Sequence, residues 1–179
     1  MKNYAVIRTD KMFGTDNRTG LYSVKYFDST DKAAELENGC VVKLGALIDK
    51  TVKTGSTTST VTSREIYKAT DVKADTKLTE VVIVAAPEVE YDERIRDLDD
   101  YINKADVAAR AYTLSVGCMF GLTEQGFTAK PAKGNIIELA AGNKLKPVAT
   151  ATSGATTVGV VDAVEKVGRY TYYVVRVTG

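Results

Sequence analysis

The segment Glu80-Val81-Val82-Ile83-Val84-Ala85-Ala86-Pro87 contains the longest apolar run of the chain. Its β-branched side chains are stiff and favour the extended conformation of a buried strand. Proline has no backbone N–H to donate to a sheet, so the strand should end before Pro87. We therefore predict a buried strand here.

The segment that follows this strand is strongly acidic. From Glu88 to Asp100 there are seven acids and two arginines, a charge of −5, so the rest of the +1 chain carries +6. Charges of this density cannot be buried without partners. We therefore predict that the segment lies on a surface or at an interface.

Three interpretations of this acidic segment are open. Asp92, Asp97, Asp99 and Asp100 could supply oxygen ligands to calcium, but EF-hand spacing and a loop glycine are absent. A solvated charged loop is the second interpretation. We favour the third, a contact with another protein subunit, because apolar side chains alternate with the acids and could bind a neighbour while the charges pair around the rim.

The remaining sequence predicts a mainly β protein, an antiparallel sandwich or barrel. The Ser/Thr-rich stretch 55–60 should be a mobile loop, because it has nothing to bury. In the central linker a short helix is predicted near Asp92 to Asn103, followed by a strand from Ala108 through Ser115 and a bulge or turn at Gly117. The other predicted strands are Tyr4–Ile7, Leu21–Phe27, Gly39–Leu44, Arg64–Ala69, Cys118–Thr123, Val158–Val164 and Tyr170–Val177.

Two halves of the chain resemble each other. Gly134–Leu139 matches Gly39–Leu44 position by position, and each is followed by a Ser/Thr-rich loop and two further strands. We interpret this as two degenerate β-repeats. The predicted division is a first β-unit at 1–87, an acidic linker with a short helix and strand at 88–117, and a second β-unit at 118–179, within one compact body.

The composition argues against several functional classes. The chain has no histidine, the usual general base and metal ligand, and no phosphate-binding glycine loop. Cys40 and Cys118 have no cationic cluster beside them in sequence, and we expect two buried thiols, with a disulfide left open. We predict no enzyme activity, no cofactor and no metal. The near-neutral charge and short apolar runs predict neither nucleic acid nor a membrane as partner, and a soluble protein made in the cytoplasm.

Part of the sequence resembles a known protein family. The run Ala86-Pro87-Glu88-Val89-Glu90-Tyr91-Asp92-Glu93-Arg94, with Asp97-Leu98-Asp99-Asp100-Tyr101, Met119–Thr123 and the Gly134 element, is similar to tailed-bacteriophage capsid decoration (auxiliary head) proteins. The resemblance is clearest from Val81 to Leu139. The chain departs from that pattern at Lys104-Ala105-Asp106-Val107, where a glycine would be expected after the acidic segment.

The resemblance implies a structural protein of the virion. It would bind the outside of the capsid, with the major capsid protein and further copies of itself, as a dimer or trimer, as partners. The predicted protein-contact residues are Glu88, Val89, Tyr91, Arg94, Ile95, Leu98 and Tyr101. Two alternatives remain: another virion component, such as a head fibre or tail protein, and a carbohydrate or cell-surface binding module, although the latter usually presents tryptophan and this chain has none.

Overall fold

The computed structural model describes residues 3–9, 20–54, 56–89 and 97–179. Within these ranges the protein is mainly β, as predicted, and its strands form two sheets. The strands are β1 (Ile7–Arg8), β2 (Leu21–Tyr26), β3 (Val41–Thr54), β4 (Thr57–Thr70), β5 (Val81–Val84), β6 (Ala109–Thr113), β7 (Met119–Thr123), β8 (Ile136–Glu138), β9 (Lys146–Val148), β10 (Thr157–Val167) and β11 (Tyr170–Val177).

The first sheet is a closed five-stranded barrel in the order β2-β4-β3-β5-β6. All its pairs are antiparallel except β2 with β4, which run parallel. A barrel of five strands is narrow, so small side chains fill it. Its interior contains valines and alanines such as Val24, Ala69, Val82 and Ala111.

The second sheet has six strands in the order β1-β7-β11-β10-β8-β9, all antiparallel. Its two edge strands are short, because β1 has two residues and β9 has three, one of them Pro147. Short edges and proline limit pairing with other chains. The end strands therefore offer little edge for strand addition, and the open edge of this sheet is the part of β10 from Ala163 to Val167, which pairs with β11 only.

The barrel and the second sheet share one hydrophobic core. Val81 and Ile83 of β5 point into this shared core with Phe120 and Tyr173 of the second sheet. Val82 and Val84, on the opposite face of β5, fill the barrel. All four β5 residues are buried because both faces of the strand are covered, which explains the uninterrupted apolar run in the sequence.

The β3–β4 hairpin extends beyond the barrel. β5 pairs with β3 only at Val41–Lys43, and β2 pairs with β4 only at Ser23↔Ile66 through Tyr26↔Ala69, whereas the hairpin pairing continues to Thr54↔Thr57. We call residues 49–54 and 57–62 the arm. The predicted mobile loop at 55–60 is wrong for residues 57–60, because these threonines and Ser59 form a strand ladder with β3. Threonine is β-branched and favours strands, a property that its small polar character obscured.

The predicted linker helix is not confirmed. Residues 92–96 lie outside the described residues, and the part from Asp97 onward contains only a 3₁₀ turn at Leu98–Asp100 before Asn103 bridges Leu36. Aspartate and asparagine compete with the helix for backbone hydrogen bonds, consistent with this outcome. The following strand is confirmed as β6, and Gly117 adopts a turn with a φ of 90°. No helix in the described ranges is long and apolar enough to cross a bilayer.

The two β-repeats and the three predicted units remain predictions. The strand pairings of the two halves differ, because β5 pairs with the Gly39 strand β3 whereas β11 does not pair with the Gly134 strand β8. The sheets also cross the predicted boundaries: β1, near the N-terminus, belongs to the second sheet, and β6, from the linker, closes the barrel. Strand pairing over long sequence separations determines this arrangement.

Candidate protein-contact surface

Four of the seven predicted contact residues are described: Glu88, Val89, Leu98 and Tyr101. Tyr91, Arg94 and Ile95 lie outside the described residues. The described four lie on the two chain ends that flank residues 90–96. Their surroundings show how these ends are attached to the body of the protein.

A pair of buried asparagines connects the two ends. Asn38 Nδ2 donates to Glu88 Oε1 at 3.1 Å and to the Ala86 carbonyl at 2.9 Å, and Asn38 Oδ1 accepts from the Ala86 N–H at 3.0 Å. Asn103 Nδ2 donates to the same Oδ1 at 3.0 Å, and the Tyr101 hydroxyl donates to Asn103 Oδ1 at 3.4 Å. Asn38 and Asn103 are 1% and 6% exposed, so loss of their partners would leave buried amide groups without hydrogen bonds. Glu88 and Tyr101 are thereby held by one network.

Arg169 holds the acidic end of the segment against the second sheet. Its guanidinium donates to Asp97 Oδ2 at 3.0 Å and to Asp99 Oδ1. The Tyr170 hydroxyl donates to the same Asp99 oxygen at 2.9 Å, and the Tyr4 N–H donates to the Asp99 carbonyl at 2.9 Å. The pKa of Tyr170 is raised because burial disfavours the phenolate, so this hydroxyl remains a donor. Two acids that could have paired with a partner are therefore paired within the chain.

Apolar side chains on both ends are exposed. Val89 is 66% exposed and Leu98 is 41% exposed. Val89 and Tyr101 line one groove of about 410 Å³ together with Pro87, Ser23 and Arg110. The structure thus brings Val89 and Tyr101 together, whereas Leu98 does not line this groove. An apolar residue beside a tyrosine in a shallow groove is typical of a protein contact.

A second, more polar pocket of about 390 Å³ lies next to Arg169. Its lining includes Asp99, Glu124, Lys130 and Tyr170. The cations are already paired, since Arg169 binds Asp97 and Asp99, and Lys130 lies 3.9 Å from Glu124. The pocket therefore has no surplus charge of either sign for a ligand among these residues.

The described residues contain no group of three or more side chains that could hold a metal ion. Of the acids considered for calcium, Asp97 and Asp99 bind Arg169, and Asp92 lies outside the described residues. Cys40 and Cys118 are free and buried. Burial raises the pKa of the Cys40 thiol to about 12, so it is protonated at neutral pH and cannot act as a nucleophile.

Asp106 lies where the resemblance predicted a glycine after the acidic segment. Asp106 adopts a positive φ of 63°, the left-handed conformation that glycine tolerates best and aspartate tolerates better than most residues. Lys25 Nζ donates to its carboxylate at 2.7 Å and lowers its pKa. Asp106 therefore reverses the chain where a glycine was expected.

Sequence reasoning missed three features of this surface: Arg169, the asparagine pair and the arm. Arg169 is 70 or more residues from its acidic partners, and no local pattern indicates that pairing. The arm did have a signal, the β-branched residues at 57, 58 and 60–62. Comparisons of the chain with protein-family models, with curated proteins and with solved structures found no significant match.

Proposed function

We propose that this protein is a structural component of a phage virion that binds the outer surface of the capsid and stabilises it by bridging capsid subunits. The observation that carries the proposal is the contact surface at residues 86–89 and 97–101. There, exposed apolar side chains lie on chain ends that are fixed to the body by hydrogen bonds of two buried asparagines. A surface that is ordered before binding loses less conformational entropy when it binds.

The charge distribution supports a lattice-bound role. The segment from Glu88 to Asp100 carries −5, and the rest of the chain +6. A net charge concentrated in one segment favours oriented binding to a partner of opposite charge over random association. On a symmetric capsid many copies bind at once, so contacts that are individually weak together raise the energy needed to separate subunits.

Heating capsids assembled with and without the protein tests this function. The proposal expects saturable binding and a higher melting temperature for the decorated capsids. Equal melting together with no saturable binding would rule it out. Electron microscopy of labelled particles tests the location: label on the capsid shell supports the proposal, and label on the tail contradicts it.

Val89 provides a residue-level test with a matched control. Val89→Ser removes an apolar contact from the proposed surface and should weaken capsid binding about fivefold to tenfold, from the loss of ~1–1.4 kcal/mol of apolar burial. Val116→Ser changes an equally exposed valine, also 66%, outside this surface and should leave binding unchanged. Equal effects of the two substitutions in a binding titration would place the contact elsewhere.

A further inference from the structure

The arm has features that the proposed function does not use. It is a two-stranded ribbon outside both cores, and its described side chains from Thr57 to Thr62 are exposed. A two-stranded hairpin alone in water is marginally stable, and three or more strands are usually needed. Register shifts between Leu44 and Asp49 interrupt the regular ladder where the ribbon leaves the barrel.

Each strand of the arm has an outer edge that pairs with no strand among the described residues. The alternation of hydrogen-bonded pairs shows which residues face these edges. Only two residues separate Thr54 from Thr57, so this closing pair is hydrogen-bonded across the turn. Pairs then alternate along the ladder, and Thr51↔Thr60 is a pair without mutual hydrogen bonds. The backbone N–H and C=O of Thr51 therefore point to the outer edge of β3, and those of Thr60 to the outer edge of β4.

By the same alternation, the backbone N–H and C=O groups of Asp49 and of residue 53, a lysine, also point to the outer edge of β3. Two identical strands can pair antiparallel about a two-fold axis that is normal to the sheet. If residue c lies on this axis, residue i of one copy lies opposite residue 2c − i of the other copy. With c at Thr51, Asp49 of each copy lies opposite Lys53 of the other. Unlike charges directly opposite across strands are stabilising, and like charges are destabilising.

The neighbouring registers lack this complementarity. An axis at residue 49, 50 or 53 places two aspartates or two lysines opposite each other, and an axis at residue 52 pairs no charges. Charged residues on an exposed edge disfavour the addition of an arbitrary strand. In the register with Thr51 on the axis, each charge on this edge of one copy lies opposite an unlike charge of the other, so this register is favoured over its neighbours. A second copy of this chain fits the edge on these grounds.

We propose that the β3 edge of the arm pairs antiparallel with the same edge of a second copy, about a two-fold axis at Thr51. The two arms then form a four-stranded sheet in the order β4-β3-β3-β4. The proposal concerns the free protein and does not depend on capsid binding.

Two proline substitutions in the full-length protein test which edge is used. Thr51→Pro removes an outward N–H from the β3 edge and leaves the hairpin's own ladder bonds in place. Thr60→Pro does the same on the β4 edge of the same cross-strand pair. Sedimentation velocity over a range of concentrations should show a wild-type dimer, a Thr51→Pro monomer and a Thr60→Pro dimer. Circular dichroism melting of each variant confirms that the body is folded.

Charge reversal tests the register. Asp49→Lys and Lys53→Asp each create like-charge pairs at two symmetric positions and should each weaken dimerisation about tenfold or more, whereas the double variant should restore it. Lys50→Asp, which lies opposite an apolar residue in this register, is the matched control and should have little effect. A wild-type protein that remains monomeric up to about 1 mM, or a Thr51→Pro variant that still dimerises like wild type, would overturn the proposal. Failure of the double variant to recover would overturn the register.

Discussion

Gly159 shows how one residue limits the packing of the second sheet. It lies in β10, opposite Val177 on β11 and Ile137 on β8. A Cβ atom at this position would lie 2.1 Å from the Arg176 carbonyl oxygen, which is backbone and cannot move aside without displacing β11. Glycine is therefore required here by close approach of two backbones.

Gly159→Ala should destabilise the protein by about 2 kcal/mol or more, because the added methyl group forces strands apart. Gly121→Ala is the matched control in β7 of the same sheet, where the nearest heavy atom would be 3.5 Å away, an ordinary contact. Gly121→Ala should be neutral or slightly stabilising, since alanine loses less backbone entropy than glycine. Urea unfolding of both variants measures the difference; equal stabilities would contradict the packing argument.

At the scale of the element, the acidic segment is held by one side chain from another element. Arg169 precedes β11 and binds the carboxylates of Asp97 and Asp99, which flank the start of the 3₁₀ turn. The guanidinium is 45% exposed, so solvent and salt screen the pairs and their contribution to global stability is small. Their effect is local: they fix the segment's position.

Arg169→Gln should release the segment without unfolding the protein. Amide hydrogen exchange at residues 97–101 should become faster, while the free energy of unfolding should change little, because solvent screens the pairs of this exposed side chain. Arg176→Gln is the matched control, because Arg176 is a similarly exposed arginine of β11 that pairs with Asp162 at 2.6 Å. Exchange at residues 97–101 that is unchanged in Arg169→Gln, or equally fast in both variants, would show that Arg169 does not hold the segment.

At the scale of the whole molecule, the shared core couples the barrel to the second sheet. Ile83 and Tyr112 of the barrel belong to the same buried cluster as Phe120 and Tyr173 of the second sheet. Neither sheet can expose its side of this cluster without exposing the other. Among the described residues, open strand edges remain along the arm and along β10 from Ala163 to Val167, which pairs with β11 only.

The barrel and the second sheet should therefore unfold together. Differential scanning calorimetry should show one transition whose calorimetric and van't Hoff enthalpies agree, because a shared core makes partial unfolding costly. Two resolved transitions, or a van't Hoff enthalpy well below the calorimetric one, would show that the two sheets are independent units.

The sequence alone determined the β class and the positions of β2, β5, β6, β7 and β11, because these depend on local composition and on the alternation of side chains. It did not reveal the strand order, the parallel β2–β4 pair, the Arg169 pairs or the asparagine network. Those join residues that are tens of positions apart, and no local pattern specifies such partners. The arm falls between the two cases: its β-branched residues favour a strand, but only the pairing of β3 with β4 beyond the barrel gives that strand a structure and an open edge.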